Sequence, residues 1–291
     1  MFSFKIVTDS ASDLSNSFLQ EQNIGVVPFY VTVDGDNYLK DQIEITSREF
    51  YKIQRERKQF FKTSLPSVQD YIDEFSKYAD ASDILCFCIS SKLSGSSQSA
   101  ENAAKAIMEE HPGRRVIVID SLNASLGYGL KILEAIKCRD DGKSLDETVK
   151  AVSAHRAVTA LMVDTLDYLR MGGRIGKASA LAGGLLNIKP IIKVVDGSLS
   201  PHSKARGRVK GLAALLDILD EGIGGDPAAY TIGVMHADCP EDAETFRDQI
   251  EQKYGIPGKV RLADVGLVIG VHVGPAVIAI SFVRNNPEIY S

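Results

Sequence analysis

The residues best suited to chemistry gather in one stretch, CISSKLSGSSQSAENAA, residues 88–104. Ser90, Ser91, Ser94, Ser96, Ser97 and Ser99 stand there around one glycine, Gly95. An apolar run, DILCFCI, precedes them and a helix-patterned segment follows. Hydroxyls at the end of a buried strand have three uses: a nucleophile, an anion cradle, or caps for the next helix. Five smaller polar clusters recur at other strand ends: TDSASDL (8–14), TSLPS (63–67), DS (120–121), MGGRIG (171–176) and GVHVGPA (270–276). In open α/β sheets, ligands bind outside the carboxyl ends of the strands. Taken singly, each cluster reads equally well as a cap or turn, because Ser, Asp and Gly serve those roles.

The familiar catalytic patterns fail. GxSxG is absent although the strand–loop–helix context at 84–104 suits it. GGRIGKAS places Ala178 after Gly176-Lys177, where a phosphate-binding loop needs Ser or Thr. GYGLKI puts Ile132 where the dinucleotide pattern needs its last glycine. The histidines, His111, His155, His202, His236 and His272, include no pair spaced for zinc on one helix face, so no metal is expected. Cys86, Cys88, Cys138 and Cys239 lack CxxC spacing and read as free thiols of a reducing compartment. A Ser-His-Asp triad stays open, since its members need not be neighbours in the chain.

These side chains need a frame. The 291 residues are 44% hydrophobic and 24% charged, enough for one large domain or two modest ones. The formal net charge of -5 argues against nucleic acid, apart from a basic patch at KARGRVK (204–210). No apolar run approaches a membrane span, so stable membrane insertion is not expected. MFSFKIVTDS reads as a first strand and lacks the marks of a signal peptide, which predicts a cytoplasmic protein. FKIVTD, IGVVPFYVTVDG, DILCFCI and RRVIVIDS read as strands alternating with helices, the last being the near-continuous apolar kind of a buried parallel sheet. Thr46 or Ser47 with Glu49, and Ser144 with Glu147, mark helix starts, while Gly142 marks an end. TSLPS opens the next helix as a Pro-containing turn, and Asp196-Gly197 signals a hairpin. The pattern predicts two α/β lobes. The first, residues 1–157, is a doubly wound parallel sheet. The second, 158–291, is a mixed sheet with helices, and part of 46–80 is free to pack against it.

The clusters in order resemble the DegV family of bacterial fatty-acid-binding proteins, nearly end to end. VTDSASDL resembles its N-terminal signature, TSLPS its Thr-Ser-x-Pro segment, and SSKLSGSSQSA its Ser-Ser-x-Leu-Ser-Gly-Thr/Ser loop. LDYLRMGGRIG, LLNIKPII, DG and VHVGPA follow in the family's order. The resemblance implies a long-chain fatty acid held in a tunnel between two lobes. It implies no cofactor and no catalytic residue. In some members the chain presents the acyl carboxylate to an ATP-binding fatty acid kinase subunit, which forms an acyl phosphate for phospholipid synthesis. Carried over by motif, Thr63, Ser94 and His272 bind the carboxylate. Ser64, Gly95, Ser96, Gly173, Arg174 and Gly274 belong to the supporting loops, with Arg174 at the kinase interface or the ligand entrance. Ser91, Ser96 and Ser97 also suit caps for the following helix. ASALAGGLL and GLVIGVHV supply small and aliphatic residues for a tunnel wall. His272, set beside a carboxylate, is expected to favour its protonated form. The family's closing glycine is Ala276 here, a place where glycine would serve a positive φ or a close approach. Two other functions fit the same residues: a serine hydrolase of acyl esters using Ser94 and His272, and a lipid-binding regulator without a kinase partner.

Overall fold

The structure, a computed structural model, describes residues 4–32, 34–57, 60–80, 82–182 and 187–285. Strand β1 (Phe4–Asp9) leads through helix α1 (Asn16–Glu21), capped by Ser15, to β2 (Gly25–Val27). The pattern read residues 24–35 as one strand region, and Pro28 divides it. A residue without an N–H cannot continue a ladder, so β2 stays beside β1 while β3 (Tyr30–Thr32) begins a different sheet. There β3 pairs antiparallel with β4 (Tyr38–Lys40). Helix α2 (Ser47–Arg57) starts at a Thr46 cap that Glu49 reciprocates, and β5 (Lys62–Ser64) then joins the other side of β3. The sequence pattern does not reveal this small sheet, and Thr63 and Ser64, read as a turn, end one of its strands.

Helix α3 (Val68–Ser76), β6 (Asp83–Cys88), α4 (Ser96–Glu110) and β7 (Val116–Asp120) complete the first lobe's parallel sheet, ordered β2-β1-β6-β7. Helices α5 (Leu126–Asp140) and α6 (Leu145–Ala154) follow, the second with its predicted Ser144–Glu147 box. Next come β8 (Val158–Met162), the short α7 (Asp167–Met171), and β9 (Ile188–Val195), which turns at Asp196-Gly197 into β10 (Ser198–Arg206). Then α8 (Arg208–Ile223), β11 (Tyr230–Ala237), α9 (Pro240–Tyr254), β12 (Val260–Asp264), α10 (Leu267–Val273) and β13 (Val277–Arg284) close the described chain. The second sheet runs β10-β9-β8-β13-β11-β12 and is mixed, because β11–β12 alone is parallel. Among the described residues no helix is long and apolar enough to cross a membrane.

One core joins the sheets. Phe4 and Phe87 from the first, Val31 and Phe50 from the small sheet and α2, and Met235 and Ala279 from the second belong to the same buried cluster. Polar contacts fasten the lobes as well. Tyr51 Oη donates to the Val265 carbonyl at 3.0 Å, Arg55 pairs with Asp238, and Ser90 Oγ donates to the Gly197 carbonyl at 2.8 Å. At the end of β1, Asp9 is fully buried and accepts four hydrogen bonds. Its Oδ1 takes Tyr128 Oη and the Ala11 amide (3.2 Å), and its Oδ2 takes the Ile89 amide (3.0 Å) and Ser96 Oγ (2.8 Å). The carboxylate thereby fixes the ends of β1 and β6 and the starts of α4 and α5 in one knot.

Candidate functional site

A cavity of about 240 Å³ lies between the lobes. Phe29, Ile89 and Ala124 wall it from the first lobe, Thr63 and Ser64 from the small sheet, and Leu161, Met235 and Ala279 from the second sheet. The strand register explains the second wall. Residues two apart on a strand share a face, and Leu161, Ala279 and Met235 are lateral partners across β8, β13 and β11. Val268, Ile269, His272 and Val273 line the cavity from the predicted GLVIGVHV segment. Of ASALAGGLL, Ala178 and Leu181 are buried in the core and are not among the lining residues, while residues 183–186 lie outside the described residues. Two hydroxyl residues of the wall have partners of their own: Ser125 Oγ donates to Asp13, and Thr159 Oγ1 pairs with Ser281 Oγ at 2.7 Å.

Thr63, Ser64, Ser94, Arg174 and His272 come from four distant stretches to this one cavity. Thr63 is held by β5, opposite Val31, and its Oγ1 lies 2.9 Å from His272 Nε2. Ser94 sits in the turn after β6, its amide donating to the Ser90 carbonyl at 3.1 Å. Its Oγ accepts from the Ser96 amide at 3.3 Å, which leaves the hydroxyl proton for a ligand. Arg174 follows α7 and is exposed. Its Nε donates to the Leu93 carbonyl (3.3 Å) and its Nη1 to the Gly172 carbonyl (2.6 Å), so the cation is anchored at the edge of the site. His272 is in the last turn of α10. Thr63 and Ser94 are half-buried and Ser64 exposed, so solvent reaches this end.

Two expectations need correction. The sequence argument protonates His272; burial, and then the nearby Arg174 guanidinium, lower its pKa to about 4. The ring is neutral at pH 7, and the positive charge of the site belongs to Arg174. The serines read as caps do not cap α4: Gly95 holds the N-cap position with no side-chain bond, and Ser96 is directed to Asp9 and to Tyr71 Oη (2.7 Å). Neither Ser96 nor Gly95, Gly173 or Gly274 is among the cavity-lining residues. Gly274 has a structural reason to be glycine: φ is +76° and a Cβ would strike the Tyr168 ring. The same turn carries Ala276 at φ +60°, with its amide donating to the Ala237 carbonyl at 2.7 Å and its carbonyl accepting from Arg208 at 2.7 Å. Alanine thus keeps the left-handed geometry that glycine would hold without strain. That conformation costs an L-residue about 1–2 kcal/mol, against the 0.5–1 kcal/mol of extra chain entropy glycine loses on folding. Ala276→Gly is therefore expected to stabilise by about 0.5–1 kcal/mol, read as a rise of about 2 °C in a thermal melt; an unchanged or lower Tm would contradict the strain.

The arrangement suits an anion with an apolar tail. A carboxylate only accepts, and Thr63, Ser94 and Arg174 offer donors to it, of which those to a charged acceptor are the stronger. Hydrolysis suits it less. A base for Ser94 is required, and His272 Nε2 is engaged by Thr63 while Nδ1 is buried without a hydrogen-bond partner among the described residues. No group of three or more His, Cys, Asp or Glu side chains stands together as a metal site among the described residues. Sequence reasoning held Gly172 and Tyr168 only within LDYLRMGGRIG, without a role of their own, and missed the second-sheet wall. Strands β8 (VTALM) and β13 (VIAISFVR) are apolar almost throughout and buried on both faces, so their sequence does not say which face lines the cavity.

Comparison with known proteins agrees with this geometry. The family described as "Uncharacterised protein, DegV family" matches residues 3–285. A DegV domain-containing protein of Clostridium perfringens is 35% identical, over 99% of this chain and 100% of its own. A stearic acid-binding protein of Eubacterium ventriosum has the same fold, with a TM-score of 0.90 and 32% identity over 97% of this chain and 98% of its own. A DegV family protein of Thermus thermophilus, described by its fatty acid binding, superposes with a TM-score of 0.86 and 30% identity, covering 97% and 99%. With the fold shared end to end and the motif residues gathered at one cavity, the chain belongs to the DegV family.

Proposed function

We propose that this chain binds a long-chain fatty acid in the interlobe cavity and holds its carboxylate at Thr63 and Ser94, with His272 behind Thr63 completing the network and Arg174 supplying the charge. The observation that carries the reading is the polarity of the cavity: a mainly apolar wall, with the Thr63 and Ser94 hydroxyls and the Arg174 cation together at an end that solvent reaches. The two similar structures of fatty-acid-binding proteins point the same way. A carboxylate at a solvent-reached end is placed for transfer chemistry by a second protein. The chain thus serves in the cytoplasm as the acyl-presenting partner of an ATP-binding fatty acid kinase subunit and carries no catalytic centre itself. Exposed Phe60, Leu65 and Met171 on the segments that bear Thr63 and Arg174 suit such a partner.

The test is lipid extraction under denaturing conditions after incubation with stearate, followed by an acyl-phosphate assay with the kinase subunit and ATP. One fatty acid per chain is expected, and its absence overturns the reading. Thr63→Ala or Ser94→Ala removes a donor to a charged acceptor, about 1.5–3 kcal/mol, so affinity is expected to fall about ten- to a hundredfold with the fold intact. Unchanged affinity in both variants would move the head group elsewhere. Full lipid retention with no acyl phosphate would leave a lipid-binding regulator.

A further inference from the structure

The turn after α7 carries two glycines with different requirements. Gly173 has φ +70° and open space around a would-be Cβ, so its backbone conformation explains it. Gly172 has φ -75° and ψ -6°, a helical conformation that any residue adopts. Space is what excludes a side chain there. A Cβ on Gly172 would overlap His272 Nδ1 and lie 3.0 Å from Cε1 and 3.2 Å from the Tyr168 carbonyl oxygen. The imidazole therefore occupies the place of the missing methyl, with Nδ1 turned toward the glycine.

We infer that Gly172 is a positioning residue that seats the His272 ring and sets its tautomer, with the proton on Nε2. A neutral imidazole carries one N–H. If that proton were on Nδ1, a donor would be buried against Gly172 with no acceptor, since Nδ1 is buried and has no partner among the described residues. Buried orphan N–H groups are rarer than orphan lone pairs. The proton on Nε2 instead donates to Thr63 Oγ1 across 2.9 Å. Thr63 has one proton and two lone pairs. Having accepted from His272, it keeps its own proton for the ligand. In the opposite tautomer Thr63 would donate to the ring and turn only lone pairs toward a carboxylate, which also only accepts. The absent methyl thus leaves room for the ring position from which Nε2 reaches Thr63. The inference rests on reading the cavity as a carboxylate site.

Its test is a cycle of four proteins, wild type, Gly172→Ala, His272→Ala and the double variant, titrated with stearate and melted in parallel. Nitrogen NMR of the His272 ring is recorded on the wild type and on Gly172→Ala. Gly172→Ala is expected to bind stearate about ten- to a hundredfold more weakly, the loss of one donor to a charged acceptor. In the His272→Ala background the same methyl is expected to change affinity less than twofold, because the ring it would overlap is gone. The wild-type spectrum is expected to place the proton on Nε2, and Gly172→Ala to alter that pattern. Wild-type affinity in Gly172→Ala overturns the inference. So does an equal loss in both backgrounds, which would be a general loop effect, or a proton on Nδ1. A wild type that takes up no stearate overturns the carboxylate reading, and the ring spectrum then judges the tautomer by itself.

Discussion

Ala279→Phe is expected to abolish stearate uptake while leaving a folded protein. Ala279 stands in β13 between Leu161 of β8 and Met235 of β11, and all three line the cavity. A phenyl ring there extends into the space an acyl chain would fill. Each methylene kept from burial forfeits about 0.8 kcal/mol, so excluding four or five costs roughly 3–4 kcal/mol, a loss of over a hundredfold in affinity. Overpacking a filled core costs about 1–3 kcal/mol, and a ring that enters an existing void stays at the low end. Isothermal titration with stearate and with octanoate separates the outcomes. Stearate is expected to fail while octanoate, with a short tail below the same head group, still binds. Undiminished stearate binding would mean that the chain does not run along this wall.

The largest expected effect on stability belongs to Asp9→Ala. Four donors converge on this buried carboxylate: the amides of Ala11 and Ile89, Ser96 Oγ and Tyr128 Oη. Burial pushes its carboxyl pKa up, and the bonds from Tyr128, Ile89, Ser96 and Ala11 pull it back. Each donor left unpaired in the interior costs about 1–3 kcal/mol, so together they rival the about 5–15 kcal/mol that holds a domain folded. The expected result is insoluble or unfolded protein by circular dichroism, even with stearate added. Asp9→Asn keeps the shape and two acceptor sites, and a hydroxyl of Ser96 or Tyr128 is free to turn and accept from its amide. It is expected to fold with a lowered melting temperature. A well-folded Asp9→Ala protein would refute the role given to this knot.

Much of the frame was legible because its signals are local. The parallel sheet followed from apolar runs separated by helices, and the Thr46–Glu49 and Ser144–Glu147 caps from spacing alone. The β4-β3-β5 sheet was hidden because strands of three residues are too short to show a period. For the site, the motif resemblance named Thr63, Ser94, Arg174 and His272, and the structure brings them to one cavity. Periodicity could not have paired Thr63 with His272, since only tertiary folding joins residues 209 apart. The state of the imidazole was misread for a related reason: burial and the Arg174 charge come from elements remote in the chain. Ser96 looked like a cap because serine at a helix start usually is one, and Asp9, far upstream, offered its hydroxyl a stronger acceptor.

The place of β13 bears on how the protein is made. It is the last described strand along the chain, yet it sits between β8 and β11, inside its sheet. The strands of the first lobe's sheet are all synthesised by residue 120, whereas β8 and β11 leave the ribosome with the edges meant for β13 unpaired. Open edges of this kind invite pairing with other chains, and a nascent polypeptide growing at about 5–20 residues per second leaves them open for seconds. Val277 and Ala279, two wall residues of the cavity, arrive only with that strand. The cavity is therefore complete only once β13 has docked, so the proposed lipid uptake is expected to follow translation.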